Sequence, residues 1–347
     1  MTADLVAWVM VLAIAAYACA GGTDYGAGFW DLMAGGAERG RRPRKLIDQA
    51  MAPVWEANNV WLIFVLVIMW TGFPTVFQAV FSAMWLPLAL AAVGLVLRGA
   101  GFALRKPAHR LARRRVYGAM FAVSSLVTPF FLGAVLGGVA SGRVRVGTPA
   151  SADAWANATS VLTGLLAIAA TAFLGAVFLC SDARRFGAPD LVDYFRLRTV
   201  IAFAAVVVLA LVALPVTRDD ARHVRDGLTA GPGLLLLVVA AVCGAATVVL
   251  VWRRSLGWSR YTSVASVALT VGAWGLAQRP YALPTTLTVT DAAGAAPAMR
   301  WLMIVTAVAI VLVGPALVLL YRLDTMGELQ ELTDADTGAA PAPGDDV

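Results

Sequence analysis

The sequence predicts an all-α, polytopic membrane protein, and three observations carry that prediction. Hydrophobic residues make up 60% of the chain and charged residues only 14%, whereas soluble domains average about 25% charged. The apolar residues gather in runs of roughly 20, the length at which a helix crosses a bilayer. The basic residues collect in the short connections between those runs.

The runs predict nine helices, over 4–22, 58–80, 83–104, 116–140, 157–181, 199–216, 232–252, 260–278 and 300–322. The first follows Asp4, with no positive charge before Leu5. It therefore reads as a retained span, not a cleaved signal. Its end is marked by Gly22-Thr23-Asp24-Tyr25-Gly26-Ala27-Gly28, glycines that permit a tight turn or a close helix approach. The second run starts behind Pro53 and holds Pro74; the third holds Pro87, the fourth Pro129 and the last Pro315. Prolines are tolerated there because neighbouring helices can re-satisfy the freed backbone groups. The remaining runs are uninterrupted stretches of Ala, Val and Leu set off by charged connections.

Lysine and arginine give the orientation. They concentrate after the first, third, fifth and seventh helices, which places those connections in the cytoplasm. The amino terminus is then outside and the carboxyl terminus cytoplasmic. The chain divides into a transmembrane helical domain over 1–323 and an acidic tail over 324–347. That tail holds seven acids with Ala, Pro and Gly, a composition that predicts disorder beyond its first turns. No connection is long enough for a folded soluble domain. The basic excess is no nucleic-acid footprint, because 25 of the 27 basic residues are Arg scattered over short loops. Three cysteines, Cys19, Cys180 and Cys243, lie in or beside apolar runs and do not form a disulfide framework.

Histidine is the informative scarcity. The two in the chain, His109 and His223, both fall in connections. Haem buried in a helical bundle needs axial His, Met or Cys ligands, and the methionines here read as packing residues. No cluster has metal-ligand spacing, and there is no phosphate-cradling loop or nucleophile elbow. Any redox cofactor would be held by another chain.

Carboxylates near the membrane are also scarce. Between Ala57 and Ser181 the only one is Asp153, which leaves Asp24, Asp31 and Glu56 as the carboxylates of interest in the first third. Glu56 lies in Trp55-Glu56-Ala57-Asn58-Asn59-Val60-Trp61, at the mouth of the second run. It has two readings. An acid in a first helical turn complements the helix dipole. An acid in a membrane that carries protons needs polar support, which Asn59, three positions on, can supply from the same helix face. Arg98 also has two readings: it snorkels to the cytoplasmic surface, or it pairs with an acid or with a partner's cofactor.

Together these residues resemble the second subunit of cytochrome bd quinol oxidases. The matching elements are Gly22, Asp24, Gly26 and Gly28; Pro53, Trp55, Glu56, Asn58, Val60, Trp61 and Leu62; Phe73-Pro74; Leu97, Arg98, Gly99, Phe102 and Arg105; and Leu283-Pro284-Thr285-Thr286-Leu287-Thr288 before the last helix. The resemblance implies a haem-free subunit of a terminal oxidase that oxidises quinol and reduces dioxygen to water. Haem b, haem d and the quinol site would belong to a partner, subunit I, against which this bundle packs. It leaves room for small single-helix accessory subunits and for a structural quinone. Glu56 would lie on a proton route, with Trp55, Asn58, Asn59, Trp61, Asp24 and Arg98 supporting it or the subunit contact. This chain itself would ligate no cofactor and no metal. The chain departs from the family pattern at Gly21 and Ala103, which replace acids, and at Ala57, which replaces glycine. The runner-up reading is a secondary transporter or permease with a buried carboxylate. That reading calls for paired broken helices in the two halves of the chain.

Overall fold

The computed structural model describes residues 2–36, 38–51, 58–105, 111–147 and 149–326. Trp55, Glu56, His109 and the tail from 327 lie outside the described residues. The architecture is all-α and polytopic, with one small hairpin. The helices are α1 (Thr2–Leu32), α2 (Arg41–Met51), α3 (Val60–Gly72), α4 (Pro74–Ala83), α5 (Trp85–Arg105) and α6 (Leu111–Ala140). They continue as α7 (Ala158–Arg185), α8 (Pro189–Asp220), α9 (Arg222–Thr229), α10 (Gly231–Trp252), α11 (Leu256–Gln278) and α12 (Ala296–Met326). Strands β1 (Tyr281–Leu283) and β2 (Leu287–Thr288) pair antiparallel between α11 and α12.

Among the described residues, seven helices are long and apolar enough to span a membrane, or eight if the bent pair α3–α4 is one span. The eighth predicted span, 260–278, corresponds to α11, which is helical over 23 residues but falls outside that set. Leu211, Leu235 and Val311 of α8, α10 and α12 are exposed, as lipid-facing side chains must be.

α1 is the hub. It packs against α7, α6, α11, α3 and α12, and against α2 at its end. Small residues make this possible. A Cβ on Gly26 would lie 1.9 Å from the Thr171 carbonyl, and one on Gly175 would lie 2.4 Å from the Gly26 backbone. The two backbones therefore touch where α1 crosses α7, the packing that small residues allow between membrane helices. The glycine-rich stretch is thus not a turn ending a helix at residue 22; α1 runs unbroken to Leu32. At 31 residues it is roughly 46 Å long, so it carries Asp24 and Asp31 far along its length.

The expected helix over 58–80 is broken instead. α3 ends at Gly72 and α4 begins at Pro74, bent by 117°. Proline has no N–H to donate and its ring clashes with the preceding turn. The freed Gly72 carbonyl accepts from Gly294 N–H at 2.8 Å, so a later loop satisfies the break.

The two larger cores among the described residues sit at opposite ends of α1. One joins Val6, Ile68, Phe73, Val80 and Leu283 around the bent pair and the hairpin. The other joins Trp30, Ile47, Phe102, Phe121 and Phe195. The second core includes α2, a helix the sequence reading leaves as a basic loop. Leu46, Ile47 and Met51 form its buried face.

Candidate functional site

The spacing of charges on two helices builds the site. Asp24 and Asp31 are seven apart on α1; Arg98 and Arg105 are seven apart on α5. Seven residues are close to two helical turns, so each pair shares a face about 10 Å apart along its helix. The result is two tiers of charge.

In the inner tier, Asn58 Nδ2 donates to Asp24 Oδ2 at 2.7 Å. Asp24, Asn58 and Arg98 are all buried. The Arg98 guanidinium lies 4.6 Å from the Tyr25 ring centroid and 4.7 Å from that of Phe121. Both are cation–π distances. It donates to the Ser125 hydroxyl, which in turn donates to the Phe121 carbonyl at 2.7 Å. Asp24 and Arg98 are opposite charges buried in one tier. Arg98 Nη2 has no hydrogen-bond partner among the described residues. Gly28 makes room: a Cβ there would fall 2.0 Å from Ser125 Oγ and 3.2 Å from Arg98 Nη1. The Tyr17 and Tyr25 hydroxyls bond at 2.8 Å beside this group.

In the outer tier, Arg105 Nη1 meets Asp31 Oδ2 at 2.9 Å and Asp48 Oδ1 at 3.3 Å. Arg44 Nε meets Asp31 Oδ1 at 3.0 Å. α2 is thereby fastened across the ends of α1 and α5. Trp30 Nε1 adds a bond to the Ala172 carbonyl at 2.8 Å, tying α1 to α7 at the same level.

The predicted residues are distributed as follows. Asp24, Asn58 and Arg98 are brought together. The snorkelling reading of Arg98 is overturned, because its head turns inward among aromatic rings and polar groups. Asn59 is half-buried before α3 and makes no side-chain cap. Trp61 is half-buried in the first turn of α3. Glu56 and Trp55 lie outside the described residues. Both Asn58 and Asn59 are expected as supporting amides; Asn58 is the one seen on a carboxylate, that of Asp24, while the expected partner of Asn59, Glu56, lies outside the described residues. The reading also missed the outer tier. Its signal was present as the matched seven-residue spacing of Asp24/Asp31 and Arg98/Arg105, and as the apolar stripe of Leu46, Ile47 and Met51.

Among the described residues no three His, Cys, Asp or Glu side chains converge as metal ligands. His223 Nε2 is already engaged, 3.3 Å from the Gln278 carbonyl and 3.1 Å from that of Arg279. What the inner tier can do chemically is hold a carboxylate inside the membrane, beside an amide and a guanidinium. An acid so placed is a group for proton movement or for fixed charge.

The family model described as cytochrome bd terminal oxidase subunit II matches residues 2–324. The chain is 26% identical over 256 residues to the cytochrome bd ubiquinol oxidase subunit 2 of Bacillus subtilis strain 168, spanning 72% of each chain. It is 26% identical over 220 residues to the cytochrome bd-I ubiquinol oxidase subunit 2 of Escherichia coli K12, spanning 60% of this chain and 54% of that one. Among solved structures, the bd oxidase from Geobacillus thermodenitrificans is similar, with 26% identity and a TM-score of 0.76. That likeness covers 93% of this chain and 98% of the other.

Proposed function

The chain belongs to the cytochrome bd terminal oxidase subunit II family, and from that premise we propose that it is the haem-free subunit of a complex that oxidises quinol and reduces dioxygen to water. It is a multi-pass protein of the bacterial plasma membrane. Its partner is a haem-bearing subunit I, which holds haem b, haem d and the quinol site. The amino terminus is outside and the carboxyl terminus cytoplasmic. The presence of only two histidines in the whole sequence supports placing the haems elsewhere.

Within the complex this chain contributes to a proton route, with Glu56 as the carrying acid and Asp24, Asn58 and Arg98 as its surroundings. One observation carries the reading. Asn58, two positions after Glu56 in the chain, bonds the buried carboxylate of Asp24. A second titratable acid, on α1, therefore bonds the residue two positions beyond Glu56 in the chain. Arg98 supplies a buried positive charge in the same tier. The charge of a lone carboxylate at mid-membrane would cost about 2.5–3.5 kcal/mol on insertion scales.

The test is quinol-driven oxygen uptake by the purified complex, normalised to haem d. Glu56→Gln is expected to assemble with full haem content and turn over slowly, because an amide releases no proton at any accessible pH. Glu56→Asp, shorter but titratable, keeps substantial activity. Wild-type uptake by a fully assembled Glu56→Gln complex would return Glu56 to a helix-capping role. The transporter reading has one observation in its favour, the 117° break between α3 and α4. It needs a second break in the other half of the chain, and no other bent pair occurs among the described residues.

A further inference from the structure

We propose that the turns joining α7 to α8 and α10 to α11 form a binding site for the headgroup of an anionic phospholipid. This goes beyond the oxidase reading and does not depend on it. The two turns are adjacent. Arg184 Nη1 donates to the Arg254 carbonyl at 2.9 Å, and Arg254 Nη2 reaches both Asp193 oxygens at 3.1 and 3.2 Å. Between them is a pocket of about 350 Å³ lined by Arg184, Gly187, Pro189, Val192, Arg254 and Leu256. Its mouth is polar and charged, while Val192 and Leu256 on its floor are buried and apolar. That graded lining suits a group whose head is ionic and whose neck is hydrocarbon.

Position points to the membrane surface. Both turns leave long apolar helices, so they lie at one face of the bilayer. Trp252, Trp258 and Tyr261, beside the second turn, are all exposed. Exposed Trp and Tyr at helix ends mark the headgroup level. Charge points to an anion. Residues 182–198 and 253–260 hold seven arginines against three aspartates. Each aspartate is already engaged: Asp182 by Arg260, Asp190 by Arg42 and Asp193 by Arg254. Arg184 is exposed and makes no ion pair among the described residues. The space over Gly187 is open, with nothing within 4 Å of a built Cβ. A phosphodiester entering there would meet the guanidinium directly, in the bidentate geometry arginine offers phosphate.

The test is native mass spectrometry of the detergent-solubilised complex titrated with phosphatidylglycerol, phosphatidylcholine or inorganic phosphate. Phosphatidylglycerol is expected to add to the wild-type complex in preference to phosphatidylcholine, with millimolar inorganic phosphate failing to displace it. Arg184→Gln/Arg254→Gln should weaken that binding roughly tenfold, since each surface arginine contributes about a fivefold factor and Arg254 is partly neutralised by Asp193. Arg184→Gln alone changes only an exposed side chain and should cost about fivefold. Arg184→Lys, which keeps the charge but loses the bidentate fork, should bind more weakly than wild type and more tightly than Arg184→Gln, and Arg145→Gln at the opposite face should bind as wild type. Equal binding of the two lipids, or equal phosphatidylglycerol binding by wild type and the single Arg184→Gln variant, overturns the proposal. Displacement by inorganic phosphate assigns the pocket to a free anion and also overturns it. Loss of the partner chain from the folded single variant would make the face a protein contact, with the same consequence.

Discussion

Asp24, Asn58 and Arg98 come from α1, from the residues leading into α3 and from α5, and each depends on the others for its burial. If the buried charges of Asp24 and Arg98 compensate one another, removing one leaves the other uncompensated, and breaking such a pair costs about 3–5 kcal/mol. Arg98→Gln should therefore lower the thermal midpoint of the complex sharply. The double variant Arg98→Gln/Asp24→Asn should recover part of the loss, because no lone charge remains. A double variant no more stable than Arg98→Gln alone would show that the two charges are not coupled. Trp61, half-buried at the start of α3, carries a narrower expectation. If it supports the subunit contact, Trp61→Ala should reduce the haem d recovered with this chain, and unchanged recovery, spectrum and turnover would remove it from that role.

At the scale of elements, the crossing of α1 and α7 is set by glycine. Gly26→Ala would drive a methyl into the Thr171 carbonyl, a backbone atom that no rotamer change can move aside. Overpacking of this kind costs about 1–3 kcal/mol, so a lower midpoint is expected on heating the complex. Gly257→Ala is the control. Nothing lies within 4 Å of its built Cβ, and alanine favours a helix over glycine by about 1 kcal/mol, so no loss is expected. α2 offers a second comparison. Asp31 binds both Arg44 and Arg105 from a buried position, so Asp31→Asn should loosen α2 and speed tryptic cleavage within 41–45. Arg42 pairs with Asp190 in the open, where such pairs contribute about 0–1 kcal/mol. Arg42→Ala should leave cleavage at the remaining sites unchanged.

For the whole molecule, the two cores are joined by one long helix. The outward faces of α8, α10 and α12 are apolar, as a lipid-embedded bundle requires. The chain expressed alone should insert in the membrane and show no stoichiometric haem spectrum. A one-to-one haem spectrum from the isolated chain would contradict the assignment of every haem to the partner. Co-purification should instead recover a haem-bearing chain with it.

The sequence by itself determined the fold class, the family and most helix positions, because apolar runs of bilayer length leave the backbone only one way to satisfy itself. It also supplied the residues of the inner tier: Asp24 and Arg98 stand out as charges in an apolar chain, and Asn58 belongs to the motif that carries the family resemblance. What it could not give was their partners. Whether Arg98 reaches outward or inward depends on Tyr25, Phe121 and Ser125, which come from two other helices. The glycines after residue 22 leave a turn and a close helix approach equally open, and only the packing of α7 decides for the approach and for the continuation of α1. The break at Phe73–Pro74 needed the Gly294 amide from more than 200 residues away. α2 has a hydrophobic stripe too short to stand alone, and it is held by Asp31 and Arg105, contacts that exist only once α1 and α5 lie side by side. Periodicity is local and survives in the sequence; the pairing of charges across helices is a property of the packed bundle.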